Sequence, residues 1–135
     1  MPSCDVNIVY MNIACEISKM SYANRLKVGA IIVKNNSIIS YGYNGMPYGF
    51  DNVCETNDVT NREVLHAETN AIAKLCKSNQ TSDDASLYVT NSPCYECSKL
   101  IIQVGIKNVY YKDLYRNTDG LNLLKEAKVN VFQIR

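Results

Sequence analysis

The chain has 135 residues, a length that suits one domain with a real core and is short for two. Charged residues make up 20% and apolar residues 47% of it, a balance that excludes the disordered class. A formal charge of +1 without any Lys/Arg run gives no field to hold polyanionic nucleic acid, and no apolar stretch approaches the ~20 residues that span a bilayer. Val6, Ile8, Val9, Met11, Ile13, Ala14, Ile17 and Met20 recur at helical spacing, which predicts a helix over 3–20 capped by Ser3 or Asp5. Val28 to Val33 and Ile38 to Tyr43 are β-rich runs around the turn Lys34-Asn35-Asn36-Ser37, the pattern of a β-hairpin. From Asn44 to Asn61 periodicity is lost and turn formers accumulate; loops of this length inside compact domains are usually functional. Arg62 to Lys77 returns to helical spacing, with His66 and Glu68 on its first turns. Ala85 to Thr90 reads as a strand that runs into Asn91-Ser92-Pro93-Cys94, and Cys97 to Val104 as a helix whose start Pro93 suits. Asn108 to Tyr111 is a further strand, Asp119 to Lys128 a helix, and Val129 to Ile134 the last strand. Helix alternating with strand over the second half argues for parallel pairing. The expected architecture is α/β, a three-layer α/β/α sandwich around a five-stranded mixed sheet, in a single domain over 1–135.

Six cysteines (Cys4, Cys15, Cys54, Cys76, Cys94 and Cys97) raise the question of a disulfide scaffold. The opening Met1-Pro2-Ser3-Cys4-Asp5 carries no basic segment leading into an apolar core, so we read no secretory signal and expect reduced thiols in the cytoplasm. Cys4, Cys15 and Cys76 are assigned to packing, where free cysteine is common. Cys54 lies in the polar loop, either as a bystander or as a thiol near a site. Cys94-x-x-Cys97 then reads as metal-binding or redox-active.

The chemistry concentrates in His66-Ala67-Glu68 and Pro93-Cys94-Tyr95-Glu96-Cys97. His66, Cys94 and Cys97 are three zinc-type ligands, and Glu68 is a carboxylate left over. Three protein ligands leave a coordination position open, as in catalytic zinc sites, whereas structural sites are closed by four. Only Cys54 offers itself as a fourth. Two thiolates and a neutral imidazole neutralise Zn²⁺, so water bound to it loses a proton near pH 7. Cys94 and Cys97, three apart at a helix start, can face one point, and the positive end of the helix favours their ionised forms. A spare carboxylate there can take a proton from water and return it to a ring nitrogen and to leaving ammonia, the division of labour in zinc deaminases. Two plainer readings stand beside this one: a packed histidine, and a thioredoxin-like cysteine pair. The lone histidine of the chain, the carboxylate two residues after it and the strand leading into Pro93 favour the catalytic metal.

Beyond the metal motif, the chain resembles the deoxycytidylate (dCMP) deaminase family over nearly its full length. The resemblance rests on Val28-Gly29-Ala30, Gly42-Tyr43-Asn44-Gly45-Met46-Pro47-Tyr48-Gly49, His66-Ala67-Glu68-Thr69-Asn70-Ala71, Thr90-Asn91-Ser92-Pro93-Cys94-Tyr95-Glu96-Cys97 and Tyr110-Tyr111-Lys112-Asp113-Leu114-Tyr115. The zinc motif is shared by cytidine, guanine and transfer-RNA adenosine deaminases, and the Asn-Gly-Met-Pro-x-Gly loop narrows it. His66 at the first ligand position also departs from the small nucleoside deaminases, which resemble this pattern but usually carry Cys there. The resemblance implies a cytidine deaminase-like fold, Zn²⁺, and hydrolysis of dCMP to dUMP and ammonia in thymidylate supply. It implies that Asn44 bonds the sugar, that the Ala67 backbone amide holds the pyrimidine carbonyl, and that Tyr115 packs on the base. Where the family often has Ser-x-Asp-Pro, this chain reads Ser21-Tyr22-Ala23-Asn24-Arg25-Leu26-Lys27, so the phosphate contacts are open and Arg25 and Lys27 are the candidate cations. The family further implies a homo-hexamer activated by dCTP with Mg²⁺ and inhibited by dTTP, with Asn44, Gly45, Pro47 and Gly49 at the effector site; Asp51, Glu55 and Asp58 are consistent with the Mg²⁺. Two alternatives remain. A transfer-RNA adenosine or other nucleobase deaminase is opposed by the missing basic patch, and a non-catalytic, zinc-stabilised nucleotide-binding module has no need of Glu68.

Overall fold

The computed structural model describes residues 5–135, so Ser3 and Cys4 lie outside the described residues. Helix α1 covers Val6–Ser18 and is capped by Asp5, whose carboxylate accepts from the Asn7 N–H at 3.0 Å. Strands β1 (Gly29–Lys34) and β2 (Ser37–Tyr43) form the expected hairpin. Its turn places Asn35 and Asn36 at φ 51° and 62°, a left-handed region that asparagine tolerates well.

The segment after β2 is not wholly irregular. Two short strands, β3 (Glu55–Thr56) and β4 (Val59–Thr60), pair around Asn57 and Asp58 at φ 52° and 62°. This small hairpin escaped the sequence reading because strands of two residues carry no periodicity, although Asn-Asp is a turn signal. Helix α2 runs over Ala67–Lys74 and tightens into a 3-10 turn at Leu75–Lys77. It begins five residues later than the spacing predicts, and His66 caps it in extended conformation (ψ 156°) instead of lying within it. The cause is tertiary: Leu65 forms an antiparallel bridge with Gly45, with N–H···O distances of 2.8 and 3.1 Å, and its backbone groups are no longer free for a helix.

Strand β5 (Ser86–Asn91), helix α3 (Tyr95–Gln103), strand β6 (Asn108–Asp113), helix α4 (Asp119–Glu126) and strand β7 (Asn130–Gln133) complete the chain. Helix α3 starts two residues before the sequence expectation because Cys94 caps it, its sulfur accepting from the Cys97 N–H. The five-stranded sheet has the order β2-β1-β5-β6-β7, antiparallel on both sides of β1 and parallel from β5 to β7. Strand side chains alternate between two cores. Ala30, Ile32, Leu87, Val89 and Val109 face α2, α3 and α4 through Ala71, Ile101 and Leu124; Ile31, Val33 and Tyr88 face α1 through Met11 and Ala14. This is the expected three-layer α/β/α arrangement around a mixed sheet. Of the cysteines assigned to packing, Cys15 on α1 is half-buried against the core between that helix and the sheet, whereas Cys76 is exposed just after α2. Cys76 falls in the 3-10 turn after α2, where the α-helical period no longer assigns it a face. Among the described residues no helix is long and apolar enough to cross a membrane.

The topology brings distant segments to one sheet edge. β5 and β6 end there, leading into Asn91 to Cys94 and into Leu114 to Arg116, and antiparallel β1 begins there with Val28 just before it. The end of β2 delivers Asn44 to the same edge. Open α/β sheets bind ligands outside the carboxyl ends of their parallel strands.

Candidate active site

A cleft of about 360 Å³ opens at this edge, within the range of small-molecule sites. His66, Glu68 and Cys94 lie in its wall together with Ala67 and Asn44. The start of α2 brings His66 and the start of α3 brings the two thiols. His66 Nδ1 lies 3.2 Å from Cys97 Sγ and 3.5 Å from Cys94 Sγ, and all three ligand atoms fall within 4.8 Å of one another. Tetrahedral zinc with bonds of about 2.0–2.3 Å needs ligand atoms about 3.5 Å apart, so the cluster fits the ion. Cys54 is buried, lines the cleft and does not join the cluster. Three ligands and an open position are therefore what the described residues offer.

The electrostatics of the site follow from burial. Glu68 is 4% exposed, and burial pushes its carboxyl up to about 7 against the weaker downward pull of its own backbone N–H and of His66. Such a group can both take and give a proton near neutral pH. The Cys94 thiol is held far below its ordinary range, first by the hydrogen bond from the Cys97 thiol and then by that from His66. Cys97 moves the other way because it donates to Cys94 and is buried. The metal-free pair is thus a thiolate and a thiol, and His66, bonded to Cys94, is raised toward its charged form.

Two glycines make this geometry possible by backbone contact. A Cβ on Gly42 of β2 would lie 2.6 Å from the Ala67 carbonyl oxygen, at the start of α2. A Cβ on Gly120 of α4 would lie 2.3 Å from the Pro93 carbonyl oxygen and 2.8 Å from that of Cys94. Each lets an element press against the segment that carries ligands.

Chain comparison agrees with the site. Residues 5–113 match the family described as the cytidine and deoxycytidylate deaminase zinc-binding region. The chain belongs to that family. A dCMP deaminase from cyanophage S-TIM5, solved in complex with dCMP and dUMP, is 46% identical over 99% of this chain and 100% of that one, with a TM-score of 0.94. Deoxycytidylate deaminase of phage T4 is 30% identical, over 92% of this chain and 87% of that protein. ComE operon protein 2 of Bacillus subtilis is 41% identical over 82% of this chain, which spans only 61% of that longer protein.

Other residues that the sequence singled out fall in different places. Arg25 and Tyr115 line the cleft of this family member, and Ser92 Oγ accepts from the Tyr115 N–H at 2.6 Å. Asn44 lines it too, while its side-chain amide joins two backbone groups, accepting from Val28 N–H at 2.8 Å and donating to the Leu26 carbonyl at 2.7 Å. The N–H of Ala67, first residue of α2, has no intrahelical acceptor. Lys27 does not line the cleft; its ammonium donates to the Ser21 carbonyl at 2.8 Å. Gly45 forms the bridge to Leu65, Phe50 N–H donates to the Pro47 carbonyl, and Gly49 turns the chain at φ 90°. Sequence reasoning overlooked Arg116, which lines the cleft beside Tyr115, and the anchoring role of Glu55. The Glu55 carboxylate accepts from the N–H groups of Asn24 and Arg25 at 2.8 and 3.0 Å and ties that segment to β3. Adjacency to Tyr115 was the only signal for Arg116.

Proposed function

We propose that this chain, as a single domain over 1–135, hydrolyses the exocyclic amine of dCMP to give dUMP and ammonia. The observation that carries the reading is Glu68, a buried acid with no ion pair among the described residues, set beside a three-ligand cluster and with its pKa raised to about 7. A buried carboxylate is costly, and a structural metal site or a binding module has no use for it. Likeness in sequence and fold to the cyanophage enzyme solved with dCMP and dUMP supports the substrate.

His66, Cys94 and Cys97 would hold zinc, which when bound supplies Lewis acidity that activates water. Glu68 takes one proton from the attacking water and passes it to the ring nitrogen, then takes the proton of the hydroxyl added to the ring carbon and passes it to the amine, whose bond to carbon breaks, so that dCMP and water become dUMP and ammonia. The Ala67 N–H, which has no intrahelical acceptor, holds the pyrimidine carbonyl. Tyr115 packs against the base and Asn44 holds the sugar with the hydrogen-bonding capacity left beyond Val28 and Leu26. Arg25, whose backbone is anchored by Glu55, and Arg116 both line the cleft and would hold the 5′-phosphate.

Ammonia release should be measured on dCMP, deoxycytidine, cytidine, dCTP and adenosine-containing RNA. dCMP should exceed deoxycytidine in kcat/KM by about 10²-fold or more, since each charge-assisted contact contributes about 1.5–3 kcal/mol. Equal rates on the two would remove the nucleotide reading, and turnover of the RNA would replace it with a nucleic-acid deaminase.

Regulation by dCTP with Mg²⁺ and by dTTP, in a hexamer, is part of the same proposal. Its physical support is the Gly45–Leu65 bridge, which joins the Asn44 to Gly49 loop directly to the residue before His66. An effector on that loop would act on the ligand through two backbone hydrogen bonds. Rate against dCMP concentration should be sigmoidal alone and hyperbolic with dCTP. A hyperbolic curve indifferent to both effectors, from a monomer, would overturn it.

A further inference from the structure

Each sulfur of the metal cluster has a hydrogen-bond partner that is not itself a ligand. For Cys94 it is the Cys97 N–H, 3.5 Å from the sulfur. For Cys97 it is the hydroxyl of Thr69, whose Oγ1 lies 3.7 Å from Sγ. A threonine within a helix often turns its hydroxyl to the carbonyl four or three residues back. Here both carbonyls are engaged: that of Leu65 accepts from Gly45 N–H at 3.1 Å and that of His66 accepts from Asn70 N–H at 3.0 Å. The Thr69 hydroxyl has no hydrogen-bond partner but Cys97 among the described residues. Either atom can be the donor while Cys97 is a thiol. Once Cys97 is a metal ligand it has no proton, and only the hydroxyl can donate.

We propose that Thr69 is a positioning residue of the metal centre, donating its O–H to the Cys97 thiolate and so fixing the orientation of that sulfur and the strength of its bond to the metal. The need arises from burial. Cys97 is 3% exposed, so water does not solvate the charge on its sulfur, and a buried ion without a donor is strongly disfavoured. Partners of this kind, one bond removed from the metal, typically govern metal affinity by about 10–100-fold. The inference rests on the assignment of His66, Cys94 and Cys97 as the ligands.

Three full-length variants test it: Thr69→Val, which keeps shape and removes the hydroxyl; Thr69→Ser, which keeps the hydroxyl and removes the methyl; and Thr69→Ala. Zinc affinity is measured by chelator competition, and Co²⁺-loaded protein gives the thiolate-to-cobalt charge-transfer band. Thr69→Val and Thr69→Ala should bind zinc about 10-fold or more weakly, with the band at lower energy because the sulfur lone pairs are no longer stabilised. Thr69→Ser should match the parent in both. A purely structural threonine gives the opposite ranking, with valine close to the parent and serine impaired, and that result overturns the proposal. If valine does not fold, the serine and alanine variants still differ in the hydroxyl alone, and equal affinities and spectra for these two also overturn it. A parent protein without any thiolate-to-cobalt band would instead refute the ligand assignment itself.

Discussion

Replacing Gly120 by alanine is the sharpest test of how the cleft is held, because the glycine touches no ligand side chain and yet should control one. The added Cβ would sit 2.3 Å from the Pro93 carbonyl oxygen and 2.8 Å from the Cys94 carbonyl carbon and oxygen, all backbone atoms that cannot rotate away. A carbon–oxygen contact of about 3.3 Å is the closest that is tolerated, so α4 and the Pro93–Cys94 segment must separate by about 1 Å. For stability, two effects oppose each other. Overpacking costs about 1–3 kcal/mol, while alanine favours the helix over glycine by about 1 kcal/mol. The net loss should be about 0–2 kcal/mol, which leaves the protein folded. Function has no such offset. Moving the Cys94 segment by about 1 Å displaces one ligand relative to Glu68 and His66, and misplacement on that scale lowers turnover by about 10²-fold. The assay pairs kcat on dCMP at saturating zinc with thermal melting of the same preparation. A variant that melts within a few degrees of the parent but has lost most of its kcat supports the reasoning. Full turnover with unchanged zinc affinity would show that the ligand loop does not depend on α4.

Glu68→Gln should retain zinc and lose about 10²–10⁴-fold in turnover, as expected for a proton-transfer group; substantial activity would refute its role. The same substitution has a pH signature in metal-free protein. The folded carboxyl binds its proton more tightly than the unfolded one, so folding loses stability as pH rises from about 4.5 through about 7 and the loss is complete above that. At about 1.36 kcal/mol per pH unit, a rise from 4.5 to about 7 amounts to about 3 kcal/mol, which glutamine removes. In urea the variant should therefore gain on the parent at pH 8 relative to pH 5, and an equal difference at both would contradict it. Zinc loading should release protons, because Cys97 enters as a thiol and His66 is raised toward its charged form. Calorimetry in buffers of different ionisation enthalpy should find more protons released at pH 6 than at pH 8.5, and no release would refute the thiolate–thiol pairing. Ser98 is fully buried on α3 and its hydroxyl has no partner among the described residues, so Ser98→Ala should be neutral or raise stability by about 1 kcal/mol in denaturant titration. A clear loss would mean that the hydroxyl is satisfied, for instance by a buried water.

Local chemistry was readable from the sequence because it depends on residue type and short spacing. Cys94 and Cys97 three apart after Pro93, His66 two before Glu68, and β-branched runs around Asn35-Asn36 each carry their meaning within a few residues. The period of the apolar residues sufficed for the order of helices and strands, since it reports which face each element buries. Other features were decided by contacts between segments far apart in the chain. The start of α2 moved from Arg62 to Ala67 because Gly45 binds the backbone of Leu65, and only this places His66 as an extended cap with Nδ1 toward both sulfurs. Arg116 and Lys27 are both cations near candidate segments, yet one lines the cleft and the other is turned to Ser21. The environment of Glu68 follows the same rule: its type and position could be read, but its pKa is set by the side chains that exclude water from it. Spacing along the chain specifies chemistry where the interacting groups are neighbours. Burial and close backbone approach, as at Gly42 and Gly120, depend on three-dimensional packing, for which a single sequence holds no local signal.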